Sequence, residues 1–239
     1  LDPKSTDDPF LGPVLDRVHP DRRARRSGVV DRLLAETGLA GESPVSASEE
    51  RHLLPRGTVV RDAVLELVAD RFATLGAAPV QTATTLDLDA AWVRDALRET
   101  PATVAGGGST ALRPSARPGH CALLEDLAPA ADDLPVRVSE VGSSVARGAT
   151  RTIPELSVAC PDLASARAEF ARLVAFARAT VAALDVDPEG VLAVPRSTPV
   201  GDHEWVDDVA AVFDRPLALA VTPDAGVGAR LRLFAVADD

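Results

Sequence analysis

Tyrosine, methionine and asparagine do not occur in this 239-residue chain, and lysine occurs once, as Lys4. Aromatic residues make up only 3% of it, so the interior has to be built from aliphatic side chains; a hydrophobic content of 46% supplies enough of them for one full core. No apolar run approaches the ~20 residues of a membrane span. No basic and apolar leader opens the chain, and a cytoplasmic protein is expected. The two cysteines, Cys121 and Cys160, are too few for a disulfide framework. Each lies in an apolar run, which predicts buried free thiols under reducing conditions.

What is abundant is Ala, Val, Arg, Asp and Pro. Acidic residues number 36 against 25 basic ones, a formal net charge of −11. Such a bias suits a GC-rich genome and a salt-rich interior, where carboxylates keep a surface hydrated. It also opposes a broad phosphate-binding face, because affinity for nucleic acid comes mainly from Lys and Arg displacing counterions.

Periodicity divides the chain. Residues 1–16 read as extended or disordered, His19 to Glu36 as a helix closed by Gly38, and residues 41–50 as a polar linker. Thr58 is positioned to cap a helix with apolar positions at 60, 64, 67, 68, 72 and 75, ended by Gly76. Pro79–Thr85 then reads as a strand, Leu88–Arg98 as a helix, Gly106–Ser109 as a turn, and Ala111–Arg113 as a short strand. Pro118–Leu127 reads as a helix. From Leu134 to Val141, Val136 and Val138 alternate with Arg137 and Ser139, the period-two pattern of a half-buried strand. Leu156–Ala159 is a further strand, and Leu163 to Leu184 carries one apolar helical stripe. Residues 203–213 read as helix, Pro216–Val221 as strand, and Val227–Val236 as a last helix. Strands grouped between helices without regular alternation predict an α+β fold around a mainly antiparallel sheet.

Four segments in this order resemble the class II aminoacyl-tRNA synthetase core, most closely the archaeal threonyl type, over roughly residues 51–235. Leu54-Pro-Arg-Gly-Thr-Val-Val-Arg-Asp62 through Thr82 is similar to the first motif. Asp133-Leu-Pro-Val-Arg-Val-Ser-Glu140 to Arg147 resembles the leading strand of the second, and Ile153-Pro-Glu-Leu-Ser-Val-Ala-Cys-Pro-Asp-Leu163 the returning strand. Pro216–Pro223 through Arg230 resembles the third. The resemblance implies an antiparallel sheet flanked by helices, with residues 1–50 as an N-terminal extension, residues 51–239 as the core domain, and no anticodon-binding domain. It also implies a homodimer paired through the first-motif helix and strand, or a protein partner such as a synthetase or enzyme subunit.

What the resemblance implies for chemistry is mostly loss. That family holds zinc with one Cys and two His; the matching positions here are Arg117, Ser157 and Ala220, so no metal is expected. His120 and Cys121 lie nearby, but two adjacent residues do not converge on one ion. Arg147 and Arg230 match the arginines that grip ATP phosphates, and a planar guanidinium suits phosphate oxygens, which keeps ATP open as a ligand. Glu155 matches an acid that contacts the substrate amino group. The acids expected near the two arginines are Ala149 and Ala229, and the second-motif loop is cut to Gly148–Thr152. The residues alone leave plainer alternatives open: Arg147 and Arg230 as surface arginines paired with carboxylates, and Glu155 as solvated rim. His19, His52 and His203 read as surface residues, and no local Ser-His-Asp motif is present. The expectation is a synthetase-like paralogue that does not aminoacylate, bind tRNA tightly or hold zinc, and that acts as a regulatory or accessory protein. The alternative is an ATP-dependent ligase that passes an aminoacyl-adenylate to an acceptor other than tRNA.

Overall fold

The structure is a computed structural model and describes residues 32–43, 51–90, 93, 97, 103–104, 108–146, 149–186, 188–195, 204–213, 218–222 and 230–235. Two compact units divide the chain, one within Val30–Pro161 and the other within Asp162–Asp239. No helix among the described residues is long and apolar enough to cross a membrane.

In the first unit a short hairpin pairs β1 (Ala40–Glu42) with β2 (Arg51–Leu53), so the expected polar linker at 41–50 begins in a strand. Helix α1 (Pro55–Thr74) follows. It starts three residues before the predicted cap: Leu54 is the N-cap, with no side-chain hydrogen bond, and Pro55 occupies the first turn. Proline is well suited there, because its missing N–H would be unsatisfied anyway. Gly57 lies against Leu39, whose carbonyl oxygen would be 1.9 Å from an added Cβ, so the hairpin seats directly on the helix. Gly76, at φ 71°, closes the helix as expected.

The strand expected over Pro79–Thr85 is two short pieces, β3 (Ala78–Pro79) and β4 (Thr85–Asp87), in different sheets. Strand β4 pairs with β6 (Thr110–Leu112), which also pairs with β5 (Thr103–Val104). The helix expected at Leu88–Arg98 lies largely outside the described residues. Helix α2 (Arg117–Leu127) then leads to β7 (Val136–Ala146) and β8 (Ala149–Ala159), which pair antiparallel along their whole length. Ala149–Thr152, expected to be loop, are part of this ladder. Parallel pairing of β3 with β7 completes a three-stranded sheet. The centre of β7 is covered on both faces: Val138, Ser139 and Glu140 are all buried, so the half-buried strand predicted from alternation is buried here throughout.

The second unit opens with α3 (Leu163–Ala182), capped by Asp162, whose carboxylate accepts a hydrogen bond from the Ser165 amide at 2.7 Å. Strand β9 (Pro188–Pro195), not foreseen from the sequence, is the centre of a mixed sheet. It pairs parallel with β10 (Ala218–Thr222) and antiparallel with β11 (Arg230–Ala235). Helix α4 (Glu204–Ala210) packs on α3. Val174, Leu192, Trp205, Val209 and Phe213 form the core, with Phe170 edge-on to Trp205 at 6.0 Å. The last helix expected at Val227–Val236 is corrected to strand β11. Leu231 and Leu233, two residues apart, both pack on this core, and that period of two outweighs helical spacing. The cysteines are free, but Cys121 is exposed and Cys160 only half-buried, against the expectation that both are buried.

Candidate functional site

Register places Val138, Glu140, Gly142 and Ser144 of β7 on one face with Ser157, Glu155, Ile153 and Arg151 of β8. Helix α2 covers this face at β8 and brings in His120, which has no exposed surface. Arg113, just past β6, is 2% exposed and enters beside it.

The centre is a buried ion pair. Arg113 Nη2 donates to Glu140 Oε1 at 2.6 Å, and its other nitrogens donate to the Ser143 carbonyl at 3.0 Å and the Thr82 hydroxyl at 2.7 Å. The second Glu140 oxygen accepts from the Thr82 amide at 3.1 Å and the Thr82 hydroxyl at 2.7 Å. A charge pair removed from water is tolerable only when the remaining donors and acceptors are filled in this way. Burial would raise the Glu140 pKa, but the hydrogen bonds from Arg113 and Thr82 outweigh it and hold the carboxyl below its ordinary value. Two glycines make the approach possible. A Cβ on Gly142 would lie 2.3 Å from Arg113 Nη2, and one on Gly119 would lie 2.5 Å from Thr82.

His120 joins the network from the helix side. Its Nδ1 is 2.9 Å from Ser157 Oγ, and its Nε2 lies 3.5 Å from Glu140 Oε2, too far for a hydrogen bond but close enough for electrostatic attraction. Desolvation lowers the His120 pKa below its ordinary value, although Glu140 and Glu155 both pull the other way. The ring is therefore neutral near pH 7, and the carboxylate beside Nε2 favours the tautomer carrying its proton there. Nδ1 is then the acceptor and Ser157 the donor.

Glu155 stands opposite Glu140 on β8, half-buried, and its Oε1 accepts the Ala116 amide at 2.6 Å immediately before α2. Arg147 lies outside the described residues. Arg230 opens strand β11 opposite Ala193 rather than sitting in a helix, and Ala220 of β10 flanks the same Ala193 on its other side. His52 is exposed, as expected; His19 and His203 lie outside the described residues. The positions that match a zinc site do not fit the metal. Arg117 is cationic and exposed, Ala220 has no donor, and the Ser157 hydroxyl is engaged by His120. Among the described residues no group of three His, Cys, Asp or Glu side chains is gathered as a metal site.

A polar cavity of about 430 Å³ borders the ion pair, lined by Gln81, Thr82, Thr84, Arg113, Glu140 and Thr152 among others. A second cavity of about 600 Å³ lies within the other unit against Ala175, Ala179 and Ala182 of α3. Arg178, which lines it, is committed to the Val212 carbonyl and to the face of Phe213. Sequence reasoning passed over Arg113, Glu140 and the link between His120 and Ser157. The usable signal was glycine away from turns, at 119 in a helix and 142 in a strand, which marks a close approach.

No family model matches the chain, and no curated protein matches it in sequence. Solved structures do match. The RNA binding domain of threonyl-tRNA synthetase from Cryptosporidium parvum Iowa II is similar at TM-score 0.62 and 17% identity, over 84% of this chain and 56% of that one. A threonyl-tRNA synthetase from Aeropyrum pernix is similar at TM-score 0.62 and 14% identity, over 86% of this chain and 55% of that one. Prolyl-tRNA synthetase from C. parvum, complexed with L-proline and AMP, is similar at TM-score 0.53 and 11% identity, over 67% and 36%. The chain thus spans about half the length of the threonyl enzymes it resembles. At these identities the likeness is one of fold: the chain has the α+β architecture of the class II aminoacyl-tRNA synthetases.

Proposed function

We propose that this chain is a threonyl-tRNA synthetase-like paralogue that does not aminoacylate and works as a dimeric regulatory or accessory protein. One observation supports this reading above the others. Ser157, at a position matching a zinc ligand, is tied to His120 in a buried network closed by Arg113 and Glu140. A hydroxyl engaged by an imidazole at 2.9 Å, with no Cys or second His beside it among the described residues, does not hold the metal that would read a substrate's amino and hydroxyl groups. Val59 and Val60 on α1, 69% and 52% exposed, support pairing through the first-motif helix.

Amino-acid-dependent exchange of pyrophosphate into ATP tests the central point. No exchange with any amino acid is expected. Robust exchange would overturn the reading and establish the adenylate-forming ligase in its place. Light scattering at near-native salt is expected to give twice the chain mass, and a monomer would remove the dimer.

A further inference from the structure

We propose that Ser157, with His120 as its general base, is a nucleophile toward activated acyl compounds such as aryl esters and thioesters. Three groups from three elements align. The Ser157 hydroxyl on β8 faces His120 Nδ1 on α2 at 2.9 Å, and His120 Nε2 faces the Glu140 carboxylate on β7 at 3.5 Å. This is the order of nucleophile, base and orienting carboxylate that covalent catalysis requires, and resting sites are often looser than working ones. Burial is graded to match. His120 has no exposed surface and Glu140 is 4% exposed, whereas Ser157 is only half-buried and is the most accessible of the three.

The ladder also supplies a donor for the developing oxyanion. The Val80 amide donates to the Ser139 carbonyl, so Ser139 turns its backbone toward β3, and Val138 and Glu140 turn theirs toward β8. Their partners Ser157 and Glu155 spend their amides inside the ladder. The Val158 amide, next to Ser157, therefore points to the outer edge of β8, the last strand of its sheet among the described residues. With a single edge amide in this role, reaction is confined to acyl groups carrying a good leaving group.

The step balances without any redox change. Ser157 Oγ forms a bond to the acyl carbon while its proton passes to His120 Nδ1. The bond from that carbon to the leaving oxygen or sulfur then breaks, and the leaving group takes the proton from Nδ1. Water, deprotonated by the same nitrogen, cleaves the acyl-serine to a carboxylic acid and restores the hydroxyl. Glu140 is a positioning residue whose carboxylate attracts the Nε2 side of the ring across 3.5 Å. The charged groups facing His120 are Glu140 from β7, Glu155 from β8 and Arg113 after β6. The proposal stands apart from the accessory reading, because neither pyrophosphate exchange nor dimerisation bears on it.

The full chain is treated with a fluorophosphonate probe and the adduct mapped by mass spectrometry, with an aryl acetate as a second, acyl probe. A single adduct on Ser157 is expected, forming faster as pH rises and levelling off once His120, held below its ordinary 6.5, has lost its proton. Ser157→Ala is expected to carry no adduct on that peptide. His120→Gln is expected to slow labelling about a hundredfold, and Glu140→Gln to move the pH midpoint. If either of those two variants fails to fold, the wild-type pH profile decides. A folded wild-type chain with no adduct on Ser157 overturns the proposal, and so does labelling of Ser157 that shows no rise with pH wherever the chain is folded.

Discussion

Among the described residues, the largest fully buried side chains within Val30–Pro161 are Arg113 and His120, at 2% and 0% exposure; within Asp162–Asp239 they are Leu192 and Val209, both at 0%. The first unit is centred on charges and hydroxyls whose partners are fixed in direction and distance. The second is centred on aliphatic and aromatic surface, with Leu192 and Trp205 meeting through contacts that have no direction. Hydrophobic burial accepts a change of shape at modest cost, whereas a buried ion pair loses most of its value when one member leaves. One interior specifies identity at each position, and the other specifies volume.

Substitutions should expose the difference. Replacing Glu140 by Leu leaves the Arg113 guanidinium buried without its carboxylate, and a loss of about 3–5 kcal/mol is expected in urea unfolding. Adding Arg113→Met should restore most of it, since an apolar pair of similar volume carries no stranded charge. In the other unit Leu192→Ala should cost about 2–5 kcal/mol through the cavity left behind. Leu192→Met should cost less than about 1.5 kcal/mol, and a larger loss would show that this core is as position-specific as the polar one.

Acidity acts on the first interior through His120 and Glu140. The folded-state pKa of His120 lies below its ordinary 6.5, so the unfolded chain takes up that proton first as pH falls. Stability should therefore drop as pH falls from 6.5 to the folded value. The depressed Glu140 pKa adds a second loss in the same direction, beginning below its ordinary 4.5. Urea midpoints measured between about pH 4 and 8 should fall on acidification, and His120→Gln should flatten the upper part of the curve. The smallest effect is expected from Asp162→Ala, which removes an exposed cap from α3 and should lower the melting temperature less than any core substitution.

Of the second interior, α3 was legible in the sequence and the central strand β9 was not. The stripe through Leu163, Phe170, Val174 and Val181 announces α3, because an apolar face repeats at 3.6 residues whatever it packs against. The period-two signal in Leu231 and Leu233 was equally present, but at a chain segment where helical and strand spacing both fitted. In the first unit Val136 and Val138 revealed β7, yet Glu140 on the same face read as an ordinary polar residue. Nothing local distinguishes a carboxylate bound for a buried arginine 27 positions away from one bound for water. His120 and Ser157, 37 positions apart, are paired only by the fold. Long-range pairing of polar side chains has no period, so it leaves no trace in a single sequence.

Gly142 carries a consequence for how this chain can change over generations. The space a methyl group would take there is occupied by Arg113 Nη2, with Glu140 Oε1 2.7 Å from the same point. Alanine at 142 is therefore harmful while both members of the pair are present and tolerable once shorter residues stand at 113 and 140. These changes can be made in one order and not in the other. Lineages that keep Arg113 are held to glycine at 142, and a descendant that has gained a side chain there records that its ion pair was lost first.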